Sequence, residues 1–320
     1  MAKGETLGFA MATVFVALAA VRDVHFGAVL QQHSPLTVAV TAFALCTAVF
    51  VPLALVRDPA GLAALVRRPR GLFWINLTSA LPWLAFFQAL AITEPALAQV
   101  IFFGIGPLSV TWVDRLVTGR AVPPPGAVER RLRAGLLAAL LVSAGVLATG
   151  VSGVGRQPWL HVVAALALTI GGGLLISINT VLCRAVNDAG IGPTALLALR
   201  FPGAVVLALA LAAVRGDVAT VAAPGVLLAI APMAFLLVVL PIYVNQIAIA
   251  LASPVTVRVV LAAGPTVVFA LQALEGRLPS SPFTLAACVL YGALAVAGAA
   301  ARRRGIAGAD RPLVATAAGR

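Results

Sequence analysis

Ten apolar stretches follow one another along the sequence, each about long enough to cross a lipid bilayer. A helix of about 20 apolar residues spans the hydrocarbon core. The stretches cover residues 7–30, 36–56, 73–92, 96–118, 132–151, 159–183, 194–214, 225–251, 255–274 and 283–301. In lipid every backbone polar group needs an internal partner, which helices supply. The pattern therefore predicts an all-α membrane protein with ten transmembrane helices.

The composition supports a membrane protein and argues against a nucleic-acid-binding one. Hydrophobic residues make up 62% of the 320 positions and charged residues only 10%, and the mean hydropathy is +1.07. Soluble domains carry about a quarter charged residues. The net charge of +12 comes from basic residues that lie between apolar stretches and not along one stripe. The expected partners are therefore the lipid bilayer and a small-molecule substrate, with no nucleic acid.

The basic residues also predict an orientation. Sixteen of the 22 Lys and Arg residues fall on one side of the ten stretches, together with both chain ends. Cytoplasmic loops carry the excess of Lys and Arg, so both termini are expected in the cytoplasm. The abundance of Arg, Ala and Val is typical of a GC-rich bacterial genome, which indicates the bacterial cytoplasmic membrane.

An internal duplication relates the two halves of the chain. Several landmarks recur 158 positions later: Pro35 with Pro193, Phe43 with Phe201, Gln88 with Gln246, Gly106-Pro107 with Gly264-Pro265, and Pro124 with Pro282. We therefore expect a first five-helix repeat at 1–158, a second at 159–304, and a disordered cytoplasmic tail at 305–320. Five is an odd number, so the second repeat would enter the membrane from the opposite face. Inverted repeats are a recurring plan of secondary transporters.

The two Gly-Pro pairs fall near the middle of the fourth and ninth stretches. A proline there removes one backbone hydrogen bond and clashes with the preceding turn. Gly106, Pro107, Gly264 and Pro265 are therefore candidates for helix breaks that line a central cavity. The alternative is a kink that serves packing alone.

Several short motifs resemble the drug/metabolite transporter superfamily, specifically its EamA branch. They are Gly192-Pro193, Leu199-Arg200-Phe201, Gln246-Ile247-Ala248, Ser253-Pro254, Gly264-Pro265 and Leu274-Glu275-Gly276-Arg277, with Ser34-Pro35, Gln88-Ala89-Leu90 and Gly106-Pro107 in the first half. The resemblance implies ten helices in two repeats and efflux of small metabolites or drugs. The sequence departs from the family in lacking a Trp-Gly pair in the first stretch and in having Ala42 where an arginine is expected. These departures leave the substrate open.

Charged residues within the first stretch are the strongest candidates for a site, because a charge at a helix centre costs roughly 2.5–3.5 kcal/mol on insertion scales. Arg22 is a candidate to hold a substrate carboxylate and Asp23 to exchange a proton. Neighbouring residues point about 100° apart on a helix, so the two are not expected simply to neutralise each other. His25 is expected to share the face of Arg22. The alternative is that the first helix ends early and all three lie at the interface.

Other polar residues are predicted to form an outer and an inner group, which would line two vestibules. The outer group contains Arg22, Asp23, Gln88 and Gln99, and the inner group contains Asn179, Arg200, Gln246 and Arg258. Asn245, next to Gln246, is a further candidate for binding substrate. The amides can bind substrate or join helices. For Arg200 and Arg258 the alternative is that the side chain extends to the interface.

The function that the sequence favours is a secondary transporter, expected to export a small metabolite, an amino-acid-like compound or a drug by alternating access. No nucleotide-binding loop is present, so ATP is not expected to drive it. Protons are a candidate coupling ion and a homodimer is a candidate assembly. A membrane subunit that does not transport is one alternative.

An intramembrane enzyme is the other alternative and is less favoured. The sequence contains neither Gly-x-Ser-x-Gly nor His-Glu-x-x-His. Cys46, Cys183 and Cys288 lie far apart, without metal-ligand spacing. We therefore expect no enzyme activity, cofactor or metal.

Overall fold

The computed structural model describes residues 3–30, 33–119 and 126–309. Within these ranges the side chains of residues 3, 254, 255, 258, 299 and 302–309 lie outside the description, and Arg258 is among them. The described residues form helices and no strand. The helices are α1 (Lys3–Val29), α2 (Pro35–Arg57), α3 (Pro59–Val66), α4 (Pro69–Ile92), α5 (Pro95–Thr118), α6 (Ala127–Thr149), α7 (Trp159–Asp188), α8 (Pro193–Arg200), α9 (Pro202–Arg215), α10 (Val218–Val221), α11 (Pro224–Ala234), α12 (Leu240–Leu251), α13 (Pro254–Leu261), α14 (Gly264–Glu275) and α15 (Pro282–Ala309). A π-helical turn, Phe235–Val239, joins α11 to α12.

Eight helical segments of the described chain are long and apolar enough to cross a membrane. They are Gly4–Val29, Pro35–Arg57, Pro69–Ile92, Pro95–Thr118, Ala127–Thr149, Trp159–Asp188, Pro193–Arg215 and Pro224–Leu251. Two further apolar segments, Val259–Glu275 and Pro282–Gly298, are shorter. The chain is thus an all-α, multi-pass membrane protein.

Proline marks where most of the long helices begin. It occupies one of the first two helical positions in α2, α4, α5, α8, α9 and α11. The first turn of a helix has backbone N–H groups without partners, so a residue that lacks an N–H costs nothing there. At the other end of the chain, α15 continues to Ala309, five residues into the segment predicted as a tail, and 310–320 lie outside the described residues.

The two Gly-Pro pairs have different surroundings. Helix α5 continues without interruption through Gly106-Pro107, so the predicted break is absent in the first half. A helix of this length tolerates the loss of one hydrogen bond when neighbouring helices pack around it. The second pair follows a break, because α13 ends at Leu261 and α14 begins at Gly264.

A second break, which the sequence did not predict, separates α8 from α9 at Phe201. The side chain of Asn76 on α4 satisfies the backbone groups that this break frees. Its Nδ2 donates to the carbonyl oxygen of Leu199 at 2.7 Å, and its Oδ1 accepts from the N–H of Gly203 at 2.8 Å. An unsatisfied backbone group in lipid would cost several kcal/mol, so this asparagine stabilises the interrupted helix just after Arg200.

Each long helix packs against helices that are distant from it along the chain. Helix α7 packs against α4 and α5, and α1 packs against α12, α13 and α14. Helix α2 packs against α8 and α9, and α6 packs against α15. The contact of α7 with α5 is close, since a Cβ atom at Gly173 would overlap the carbonyl oxygen of Phe102. The largest buried core lies among α1, α2, α4, α8 and α12.

Candidate functional site

A small enclosed cavity lies among α1, α4, α5, α7, α8, α12 and α13. The space that a water-sized sphere can occupy is about 30 Å³, which is room for about two water molecules. Aromatic and aliphatic side chains form most of its wall, notably Trp83, Phe86 and Phe102. Its polar lining residues are Arg22, Thr180, Arg200 and Asn245.

On one side of the cavity, Arg22 and Asp23 form a buried ion pair. Arg22 Nε donates to Asp23 Oδ1 at 2.6 Å, and Gln99 Nε2 on α5 donates to Asp23 Oδ2. Both charged side chains are 0% exposed. The expectation that these neighbours do not simply neutralise each other is wrong. The arginine side chain is long enough to reach the adjacent carboxylate, which is buried away from bulk water.

The alternative that the first helix ends before this pair does not hold. Helix α1 continues to Val29, seven residues past Arg22, which is about 10 Å at 1.5 Å per residue. The pair therefore lies inside a helix, packed among other helices.

The two terminal nitrogens of Arg22 have no hydrogen-bond partner within the described part of the chain. Nη1 and Nη2 are both buried. The guanidinium carbon lies 4.8 Å from the centre of the Trp83 ring and 5.9 Å from that of Phe86. Such cation–π contacts offset part of the cost of burying the charge. They do not supply hydrogen-bond acceptors for the two terminal nitrogens.

His25 and Gln88 do not join this group. His25 is exposed, although Arg22 on the same helix is fully buried. Three residues advance a helix by about 300°, which leaves a 60° offset. That offset moves His25 off the buried face, so the prediction of a shared face is wrong. Gln88 is half-buried on α4 and makes no hydrogen bond with Arg22, Asp23 or Gln99.

Arg200, at the end of α8, is held by neutral groups only. Its Nε donates to Ser79 Oγ at 3.0 Å, its Nη1 donates to Gln246 Oε1 at 2.8 Å, and its Nη2 donates to Asn179 Oδ1. Arg200 is 3% exposed. Extension of this side chain to the interface, the alternative that the sequence left open, is therefore excluded.

Asn179 links this arginine to α4. Its Nδ2 donates to Ser79 Oγ at 2.9 Å and to Thr78 Oγ1 at 3.0 Å. Helices α4, α7, α8 and α12 thus meet around one buried guanidinium. Such networks orient their members firmly because every polar group in lipid needs a partner.

Members of the predicted outer and inner groups line one and the same cavity. Arg22 and Arg200 both line it, and so does Asn245. Gln246 accepts a hydrogen bond from Arg200, which lines the cavity. The Arg258 side chain lies outside the described residues. The break before Gly264 lies close by, since a Cβ atom at Gly264 would be 2.8 Å from Gln99 Oε1.

The sequence reasoning missed Ser79, Trp83 and the burial of Glu94. Glu94 lies in the turn between α4 and α5 and is 0% exposed. Its carboxylate accepts from Gly153 N at 2.8 Å, from Thr284 Oγ1 at 2.9 Å and from Gln272 Nε2 at 2.7 Å. It therefore ties the α4–α5 turn to α14 and α15. For Ser79, the adjacent Thr78-Ser79 pair inside an apolar stretch was the available signal.

Comparisons with known proteins support the fold alone. No family model matches the sequence, and no curated protein sequence matches it. Thirteen chains of solved structures match. One of them, described only as the crystal structure of a protein, has a TM-score of 0.62 and 18% sequence identity, and the match covers 97% of this chain and 99% of the other. The same arrangement of helices therefore occurs in a solved structure over almost its whole length.

Proposed function

We propose that this protein is a secondary transporter that carries a small organic solute by alternating access, with ten spans arranged as two inverted repeats of five. The observation that carries the proposal is the enclosed cavity, which is lined by charged and apolar side chains from both halves of the chain. Arg22, Trp83 and Phe102 come from the first half, and Thr180, Arg200 and Asn245 come from the second. A polar site enclosed between repeats is what a rocking-bundle transporter requires.

The packing of the helices supports the repeat. A shift of 158 positions carries α1 onto α7, α4 onto α11–α12, and α5 onto α13–α14. Under this exchange the contacts of α7 with α4 and α5 become those of α1 with α12, α13 and α14, which are the contacts that α1 makes. The pairs α2 with α8–α9 and α6 with α15 map onto themselves. This exchange is what a pseudo-two-fold axis between the halves would produce.

The charge distribution supports the proposed membrane and the orientation of the chain in it. Both termini are proposed to lie in the cytoplasm of a bacterium, with the chain in its cytoplasmic membrane, because the basic residues concentrate on that side. The resemblance to EamA proteins favours export. Labelling of single cysteines added near each end, with a membrane-impermeant thiol reagent applied to intact cells, tests the arrangement: reaction at one end alone would remove the inverted repeat.

Transport is tested in liposomes that contain the purified protein and are loaded with a mixture of small metabolites. We expect mass spectrometry to show selective loss of some solutes relative to protein-free liposomes. The variant Arg200→Gln, checked for folding by size-exclusion chromatography, should abolish that loss. The proposal fails if no solute leaves faster than from protein-free liposomes, which would favour a membrane subunit that does not transport.

A further inference from the structure

We infer that the cavity binds a monoanionic carboxylate with a small apolar body, and that Arg22 is the residue that contacts the carboxylate. The inference rests on the proposed function only in treating this ligand as the transported solute. It assigns the chemistry of the ligand, which transport by itself leaves open.

The unused hydrogen-bonding groups around the cavity are mostly donors. Among the cavity-lining residues of the described structure, four buried side-chain atoms have no hydrogen-bond partner: Arg22 Nη1, Arg22 Nη2, Trp83 Nε1 and Asn245 Oδ1. Three of them are donors. A buried donor without an acceptor is unfavourable, and more so when it is charged. A ligand that brings acceptor atoms would satisfy these donors.

The geometry of Arg22 favours a carboxylate over a single acceptor atom. Asp23 contacts the Nε edge of the guanidinium, and Trp83 packs against its face. Its two terminal nitrogens remain, and these form the paired donors that match the two oxygens of a carboxylate. Gln99 fixes Asp23 in turn through Asp23 Oδ2. Arg22 is thus oriented before any ligand arrives.

The charge around the cavity favours a ligand with one net negative charge. The described charged groups at the site are Arg22 and Arg200, both cationic, and Asp23, which is anionic. Among these described groups one positive charge is left without a counter-charge, and such a charge is costly because both arginines are buried. A monoanion neutralises it. A zwitterionic amino acid would leave the charge in place, and a cation would add to it.

Arg200 contributes its charge and does not supply the contact. Each of its three side-chain nitrogens already has a partner in Ser79, Gln246 or Asn179, whereas both terminal nitrogens of Arg22 have none among the described residues. We therefore assign Arg200 as a positioning residue whose field favours an anion. Arg22 keeps the free donors.

The other residues of the cavity wall determine which non-carboxylate part of a ligand fits. Phe86, Phe102, Ile176 and Ile249 give an apolar surface on which a ring or a short aliphatic chain can pack. Asn245 Oδ1 can accept a hydrogen bond from a hydroxyl on that body. A short aromatic or branched carboxylic acid satisfies all these features.

Binding of benzoate to the purified protein in lipid nanodiscs tests the inference directly. Benzamide, benzylamine and phenylalanine serve as neutral, cationic and zwitterionic matches of similar size. We expect benzoate to bind at least about tenfold more tightly than each of the three, the scale of a charge-assisted hydrogen bond. Equal affinity for benzamide or for phenylalanine would overturn the assignment of a monoanionic carboxylate.

Variants of the donors test the role of Arg22. Arg22→Gln should weaken benzoate binding about tenfold or more and leave the weak binding of benzamide unchanged, whereas Arg215→Gln, at the exposed end of α9, should change neither. If Arg22→Gln does not fold, Trp83→Phe is measured instead. It keeps an aromatic ring and removes the Nε1 donor, so it should weaken benzoate binding several-fold without affecting benzamide. An unchanged benzoate affinity in whichever of these variants folds would refute the contact.

Comparing binding with transport separates the two proposals. Benzoate that binds selectively but is never exchanged across liposomes would sink the transport function and leave the carboxylate site standing. Transport of solutes that benzoate does not compete with would leave the transport function standing and sink the carboxylate site.

Discussion

Replacing Asp23 by asparagine should destabilise the protein strongly, because it removes the charge that pairs with Arg22 and keeps the shape of the side chain. Both groups are fully buried, and the Nε–Oδ1 distance is 2.6 Å. Removing one partner of a buried ion pair typically costs about 3–5 kcal/mol, since the other charge is left uncompensated. Since the unfolding entropy is about 2.1 cal/mol/K per residue, a chain of 320 residues loses about 1.5 °C of melting temperature per kcal/mol. We therefore expect a decrease of about 4–8 °C.

The informative measurement compares this single variant with a double variant by thermal unfolding in detergent. Replacing both members by apolar residues of similar size, Arg22→Met with Asp23→Leu, removes the uncompensated charge and the buried donors together. The double variant should therefore melt closer to the wild-type protein than the single variant Asp23→Asn does. A double variant that is at least as unstable as the single one would show that the pair is not what stabilises this region.

Three further substitutions test the surroundings of the cavity by the same melting assay or by benzoate binding. Asn76→Ala should lower the free energy of unfolding by about 1–3 kcal/mol, because it leaves two backbone groups at the α8–α9 break without a partner. The matched control is Asn187→Ala, because the Asn187 side chain has no hydrogen-bond partner among the described residues. Glu94→Gln should lower the melting temperature by several degrees, because the new amide nitrogen would face at least one of the groups that now donate to the carboxylate. An unchanged melting temperature would contradict the role of this network. Gly264→Ala should weaken benzoate binding several-fold, because its Cβ atom would stand 2.8 Å from Gln99 Oε1 and displace the group that orients Asp23; unaltered affinity would mean that Gln99 does not position the pair.

The all-helical membrane fold was predictable because apolar stretches of about 20 residues leave few other structures open in lipid. The buried positions of Arg22, Asp23, Arg200 and Asn179 were also accessible as candidates, since polar groups inside apolar stretches are costly and therefore few. Which of them meet was not predictable, because the contacts of Arg200 with Ser79 and Gln246 join residues that are 121 and 46 positions apart.

Two errors came from treating helices as ideal and residues in isolation. The pairing of Arg22 with Asp23 depends on a flexible side chain, which helical angles alone do not describe. The break at Phe201 depends on Asn76, a residue on another helix, and no local signal besides Pro202 marks it. The burial of Glu94 was likewise not predictable, because the sequence shows its neighbours along the chain and not the donors from α14 and α15 that surround it.

The small volume of the cavity has a kinetic consequence. A space with room for about two water molecules cannot admit a benzoate ring until the helices around it separate. The opening step then precedes capture, so the observed association rate should rise with ligand concentration only up to a plateau set by the rate of opening. Stopped-flow measurements that follow tryptophan fluorescence would show this saturation, with Trp83 in the cavity wall as the reporter.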